Sequence, residues 1–237
     1  MSLLSIAQSI LLRVLSQKPT VAATSTDPKT QQAVEFINEA GQELAARHSW
    51  QVLVNESTFL TTGNESQGTI QALSGPGYSY VLNETMWNRT QRRPLFGPKS
   101  SSEWQLLKAQ FSSGPWSSYR IRQNQVLFFP TTPVGHNIYF EWVTSNWASD
   151  KVGTPQSSYV ADTDLTFLDE RLIKLDALWR FKRANNLAYD EDFDKAEKAI
   201  EDAIARDGSR ARLTLTGTPN ELVPVAVVPL GNWMVPP

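Results

Sequence analysis

Leu3, Ile6, Ala7, Ile10, Leu11, Val14 and Leu15 recur at intervals of three and four, the spacing of a helix with one buried face. A second such pattern follows Asp27. Asp27 suits an N-cap and Pro28 the first helical position, and Val34, Ile37, Leu44, Ala45 and His48 then fall on one face as far as Trp50. Gly41 interrupts that helix at a cost of ~1 kcal/mol relative to alanine, tolerable where another backbone packs close. From Gln51 to Asp162 the pattern changes to short β-branched and aromatic runs separated by Gly, Pro, Asn and Ser, which is sheet composition. Strands are predicted at 52–60, 68–73, 78–82, 119–122, 125–129 and 137–143, with a hairpin around Gln123 and Asn124. A short helix is predicted over 101–110, capped by Ser101 or Ser102, with Trp104, Leu107 and Lys108 at helical spacing.

Helical periodicity returns with Leu168, Leu172, Leu175, Leu178, Trp179 and Phe181 or Lys182. Asp164 or Thr166 is the expected cap, and Asp169 and Glu170 form its acidic first turn. After a turn over 185–189, Asp190 is the expected cap of a last helix with Phe193, Ala196, Ala199, Ile200, Ala203 and Ile204 on its apolar face, stopping at Asp207 and Gly208. Residues 222–237 carry no charge and four prolines, yet are rich in Val, Leu, Trp and Met. Proline excludes a helix there, and the apolarity is wrong for a solvated linker. An extended arm docked on another surface is expected, either of its own domain or of another chain.

Helices at both ends share unfinished apolar faces, so the expected fold is α+β: a helical bundle formed by N- and C-terminal helices, with an inserted antiparallel β domain and an extended C-terminal arm. The expected boundaries are 1–50 and 163–208 for the bundle, 51–162 for the β-rich insert and 209–237 for the arm.

The bulk numbers narrow the function. The chain has 237 residues, 41% hydrophobic and 19% charged, ordinary for a globular protein. A net charge of −2 provides no overall field to hold a polyanion or an anionic membrane surface. Zero cysteines remove disulfides, thiolate catalysis and Cys-ligated zinc. The apolar N-terminus is not expected to be a signal peptide: no positive charge precedes it, Ser2, Ser5, Gln8 and Ser9 interrupt it, and Arg13 closes it. Without one, the sequons at Asn55, Asn64, Asn83 and Asn88 read as chance in a Ser/Thr/Asn-rich region.

Candidate chemistry is sparse. Phosphate-cradling glycine loops and an esterase elbow are absent from the sequence. His48 and His136 have no neighbour at metal-ligand spacing; His48 reads as a helix-end or interface histidine and His136 as a solvated turn residue. The acids around Asp162, Asp164, Asp169 and Glu170, and those over 190–194, are explained by helix starts. No catalytic residue, metal or cofactor is therefore expected. Trp87, Trp104, Trp116, Trp142 and Trp147 fall in the sheet region and read as core filler, with a carbohydrate-binding or carbohydrate-cleaving platform as the alternative. Arg89, Arg92 and Arg93, with Lys99, make the one local basic patch, suited to a phosphate or an interface.

Several stretches together resemble the head-to-tail adaptor (connector) proteins of tailed bacteriophages, the portal-bound adaptors of short-tailed phages. They are the helix over 32–50 with its NEAGQEL run, YVLNETMWNRTQRRPLFGP at 80–98, Trp104, YRIRQNQVLFFP at 119–130, YFEW at 139–142, LIKLDALWRFK at 172–182 and YDEDF at 189–193. The likeness covers residues 3–208, and its specificity lies in order and spacing. It implies a non-enzymatic virion protein at the head–tail junction, made in the host cytoplasm. It further implies a homo-oligomeric ring, commonly twelvefold, bound to the portal protein and to a tail nozzle or tail-tube protein. Double-stranded DNA would pass through that ring without specific binding, and no membrane would be involved. On this reading Val225, Val227, Val228, Leu230, Trp233 and Met234 of the arm contact the portal or a neighbouring subunit, and Arg89, Arg92 and Arg93 are DNA-channel or interface contacts.

Overall fold

The computed structural model describes residues 2–109 and 116–208, so the expected arm over 209–237 lies outside the described residues. The fold is α+β, with helices α1 (Leu3–Leu15), α2 (Pro28–Arg47), α3 (Ile70–Ser74), α4 (Ser101–Ala109), α5 (Glu170–Ala184) and α6 (Asp190–Arg206). The strands are β1 (Val54–Leu60), β2 (Ser66–Thr69), β3 (Tyr78–Val81), β4 (Trp87–Asn88), β5 (Arg93–Pro94), β6 (Ser118–Arg122), β7 (Gln125–Phe129), β8 (Asn137–Thr144), β9 (Ala148–Ser149), β10 (Pro155–Gln156) and β11 (Leu165–Thr166). Described residues 2–57, 74–82 and 141–208 form one compact unit, and 58–73 with 83–140 form a second. The expected sheet region 51–162 is thus divided between them.

In the helical unit, α2 packs along α5, α5 against α6, and α1 against both α2 and α5. Ile6, Ile10 and Leu11 of α1 share a core with Ile37 and Leu44 of α2, Ile173, Leu178 and Phe181 of α5, and Ile200 of α6. Each such side chain contributes ~1.5–3 kcal/mol by leaving water. The two ends of the chain therefore close one bundle, as their apolar stripes require. Asp27 caps α2 by accepting from the Thr30 N–H at 2.9 Å, with Pro28 in the first turn. Gly41 faces a side chain instead of a backbone: a Cβ there would overlap the ring of Trp147, which is fully buried and meets Tyr159 edge-on at 4.8 Å.

Two helix starts differ from expectation. Asp169 caps α5, accepting from the Arg171 N–H at 2.8 Å. Asp164 is committed elsewhere, accepting from the N–H groups of Val160 and Ala161 at 2.7 Å each, and Thr166 lies in β11. Tyr189 occupies the N-cap of α6, so Asp190 is already helical and acts in the first turn. The end of α6 is as expected, with Asp207 at the C-cap and Gly208 at φ +81°. The last strands, β10, β9 and β11, pair antiparallel in that order.

In the sheet unit, β6 and β7 form the expected hairpin, and Gln123 and Asn124 take φ of 50° and 61°, the signature of a type I′ turn. β2 pairs with the other side of β7. The strand expected over 68–73 stops at Thr69 because Gly68, at φ +122°, follows a register shift, and the Ile70 N–H turns to the Asn124 carbonyl at 2.6 Å. Ile70–Ser74 then coils into α3. Helix α4 is capped one residue earlier than expected. Ser100 donates its N–H to Glu103 Oε2 at 2.8 Å and accepts the Glu103 N–H at 3.4 Å, a reciprocal capping box. Trp104, Tyr119, Phe128, Ile138 and Phe140 are buried here, and Phe59 lies 6.1 and 6.0 Å from the rings of Phe128 and Phe140.

Candidate functional site

The most chemically distinctive surface of the sheet unit is the β4–β5 hairpin. Its rungs are Trp87 opposite Pro94 and Asn88 opposite Arg93, while Trp87 and Asn88 also pair with Tyr139 and Ile138 of β8. Asn88 organises the turn. Its Oδ1 accepts from the Gln91 N–H at 3.0 Å, and its Nδ2 lies 3.1 Å from His136 Nδ1. Arg92 then takes the left-handed conformation at φ 54°. Two bonds to Asn137 pin the turn: its N–H donates to Thr90 Oγ1 at 2.9 Å, and its carbonyl accepts from the Arg89 N–H at 3.0 Å.

This turn brings the three predicted arginines together and gives two of them aromatic supports. The Arg89 guanidinium lies 3.5 Å from the centre of the Tyr139 ring, and that of Arg93 lies 5.4 Å from the Trp116 ring. Trp116 meets Phe96 edge-on at 5.9 Å, and these two rings are 39% and 46% exposed. Lying on the Trp116 ring, the Arg93 guanidinium keeps its planar fork available for a carboxylate or phosphate. Lys99 does not join them; it reaches towards Glu103 at 4.0 Å.

The charges are segregated between the units. Residues 58–73 and 83–140 carry seven basic side chains against three acidic, a net of +4. The described residues of the helical unit carry thirteen basic against twenty acidic, a net of −7. Near-neutrality of the whole chain conceals this, although a windowed count of Lys, Arg, Asp and Glu would expose it.

The remaining candidates have structural partners. His48 Nε2 lies 3.1 Å from Asp207 Oδ2, which also accepts from the Gln51 N–H at 3.0 Å. His136, expected in solvent, is half-buried against Asn88 because Asn88 needs a partner beneath the turn. Asn88 itself is 3% exposed, which leaves no room for a glycan. Asp162 accepts from the N–H groups of Ala22 and Ala23 at 2.9 and 2.7 Å. Asp192 is buried between Arg13 Nη2, at 3.0 Å, and Lys182. Asp176 accepts from Trp179 Nε1 at 2.7 Å and from Arg180 Nε at 2.9 Å, and Arg180 also reaches Glu39 and Glu43. Burial pushes the Asp176 carboxyl above its ordinary value, outweighing the hydrogen bonds from Trp179 and Arg180.

Among the described residues, no group of three His, Cys, Asp or Glu is placed to hold a metal ion, and no helix is long and apolar enough to cross a membrane. Trp104, Trp142 and Trp147 are buried and Trp87 is half-buried, so Trp116 is the exposed indole of this group. Val225, Val227, Val228, Leu230, Trp233 and Met234 lie outside the described residues. No protein-family model matches the chain, and no curated protein matches it.

Proposed function

We propose that this chain is a structural virion subunit, a head-to-tail adaptor of the tailed-bacteriophage connector type. It forms a homo-oligomeric ring, twelvefold in the resemblance, beneath the portal protein, joins it to the tail nozzle or tail tube, and surrounds the channel for double-stranded DNA. One observation carries the reading. The stretches that resemble the connector family fall on the framework of both units: 32–50 covers most of α2, 80–98 runs from β3 through the β4–β5 hairpin, 119–130 is the β6–β7 hairpin, and 172–182 with 189–193 forms α5 and the start of α6. The buried carboxylates Asp162, Asp164 and Asp176 are each bound by backbone or side-chain donors, which suits a structural role.

The carbohydrate reading needs an indole platform, and of the sheet-region tryptophans Trp116 is the exposed one. A single ring propped against Phe96 and Arg93 is a weak platform for a sugar chain.

Tail-less particles that expose their portal provide the test. The full-length chain should co-sediment with them, and electron microscopy should show a ring at one vertex. A chain ending at Gly208 should keep its circular-dichroism spectrum and lose attachment. Failure of the full-length chain to bind would overturn the adaptor reading; attachment by the shortened chain would move the docking surface from the arm to the folded units.

A further inference from the structure

Helix α6 hands the chain on beside the start of β1. Asp207, its C-cap, accepts from the Gln51 N–H at 3.0 Å and lies 3.1 Å from His48 Nε2. The helix end is thereby held against the short 3₁₀ turn Gln51–Leu53 that leads into β1. Gly208 follows at φ +81°, and a Cβ placed there would lie 3.6 Å from Gln51 Nε2. The chain beyond Gly208 therefore sets out from the foot of β1.

β1 ends the strand order of its sheet, with β8 as its one sheet neighbour among the described residues. The outer side of an end strand offers backbone donors and acceptors, a template for a further strand. In the part of β1 that belongs to the helical unit, Val54–Ser57, Val54 is half-buried at the margin of the helical core and Asn55 is exposed.

A matching strand lies in the sequence just past Gly208. Arg212, Leu213, Thr214, Leu215 and Thr216 alternate polar and apolar, with β-branched threonines, the pattern of a strand with one covered face. Gly217 and Pro219 close the run. Residues 209–211, extended, cover ~10 Å. The 3₁₀ turn climbs only ~6 Å between Gln51 and β1. Arg212 thus comes level with Val54, with length to spare for leaving the helix.

We infer that residues 212–216 add to the outer edge of β1 in the same chain, as a parallel strand along Val54–Ser57. Both strands run away from the place where Gly208 adjoins Gln51, which sets the parallel sense. So short a tether favours the strand of the same chain over that of a second copy. Leu213 and Leu215 share a face, and a leucine beside Val54 extends the margin of the core. The added strand also roots the uncharged segment over 222–237 at one place on the fold. The pairing does not depend on the adaptor reading.

The chain has no cysteine, so engineered disulfides in the full-length protein report the pairing cleanly. Asn55→Cys is combined in turn with Arg212→Cys, Leu213→Cys, Thr214→Cys, Leu215→Cys and Thr216→Cys, and each double variant is air-oxidised. One position, and more weakly those two residues away from it, should form a disulfide within the chain, since neighbouring strands bring Cα atoms to ~5 Å. Hydrogen exchange supplies the second readout. Thr214→Pro removes a ladder donor and should speed exchange of the β1 amides at least ~10-fold, whereas Thr214→Val should leave them protected, and neither should change α5. A covalent dimer in place of the intrachain bond would assign the edge to a second copy's segment and overturn the inference. No disulfide at any position, equal oxidation at all of them, or β1 exchange that Thr214→Pro leaves unchanged would overturn it too. The adaptor reading is scored separately, by attachment to portal-bearing particles, which the disulfide does not need.

Discussion

Gly41 and Trp147 form a notch and its occupant: the absent Cβ of the glycine leaves the space that the indole ring fills, in the middle of α2. Gly41→Ala gains ~1 kcal/mol of helix propensity but forces the ring or the helix to move. The expected net loss is ~1–3 kcal/mol in urea unfolding, because overpacking of a rigid aromatic outweighs propensity. Trp147→Leu in the Gly41→Ala background should recover part of the loss relative to adding the two single effects.

Asp176 should make stability depend on pH in an unusual direction for a carboxylate. Its folded-state pKa is raised above the ordinary 3.8 by burial, so the folded chain holds the proton at pH values where the unfolded chain has lost it. Stability from this group is complete below 3.8 and declines as pH rises through the folded-state pKa. The parent chain should therefore gain stability relative to Asp176→Asn as pH is lowered through that interval. A parent-minus-variant difference that is flat, or that grows with rising pH, would refute the assignment.

Asp192 and Arg13 are partners with unequal shares. The Asp192 side chain is 9% exposed and that of Arg13 is 47% exposed. Asp192→Ala strands Lys182 beside a buried gap and should cost ~3–5 kcal/mol. Arg13→Ala removes one solvent-screened arm and should cost no more than ~1 kcal/mol. Guanidinium unfolding of the two variants checks the ratio.

Trp104 and Trp116 should separate packing from surface function. Trp104 is 1% exposed and Trp116 39%. Trp104→Ala should cost ~3–5 kcal/mol through a large cavity. Trp116→Ala should leave the melting temperature within a few degrees, about the effect of 0.5 kcal/mol. Saturable polysaccharide binding that disappears with Trp116→Ala would favour the carbohydrate reading.

The β6–β7 turn should tolerate improvement. Gln123 and Asn124 both adopt left-handed backbone conformations, which suit asparagine and glycine better than glutamine. Gln123→Asn with Asn124→Gly should raise stability by ~0.5–1 kcal/mol, read as a shift of the unfolding midpoint with unchanged slope.

Much of the framework was legible because it is local. The stripes of α1, α2, α5 and α6 reflect which side of a helix faces apolar surface, and the turn at Gln123 and Asn124 reflects backbone conformations that few residues accept. The candidate site was legible only as three nearby arginines. That they crowd one turn depends on Asn88, which bridges Gln91 and His136, and on Tyr139 and Trp116, which arrive from distant positions. The strands β4, β5, β9, β10 and β11 are two residues long, too short to show any alternation. The caps lie at Ser100, one residue before the expected serines, and at Asp169, beyond Asp164 and Thr166, because neighbouring serines and acids compete for the role and loop hydrogen bonds decide between them.

By itself, then, the sequence determined where the chain coils, where it extends and that its two ends must share a core, since these follow from residue conformation and periodic burial. Tertiary structure decided which distant side chains meet: Trp147 in the space at Gly41, Asp207 on His48, Arg47 on Glu197. Pairings of that range follow from the closing of the whole chain around its cores, and no local spacing records them.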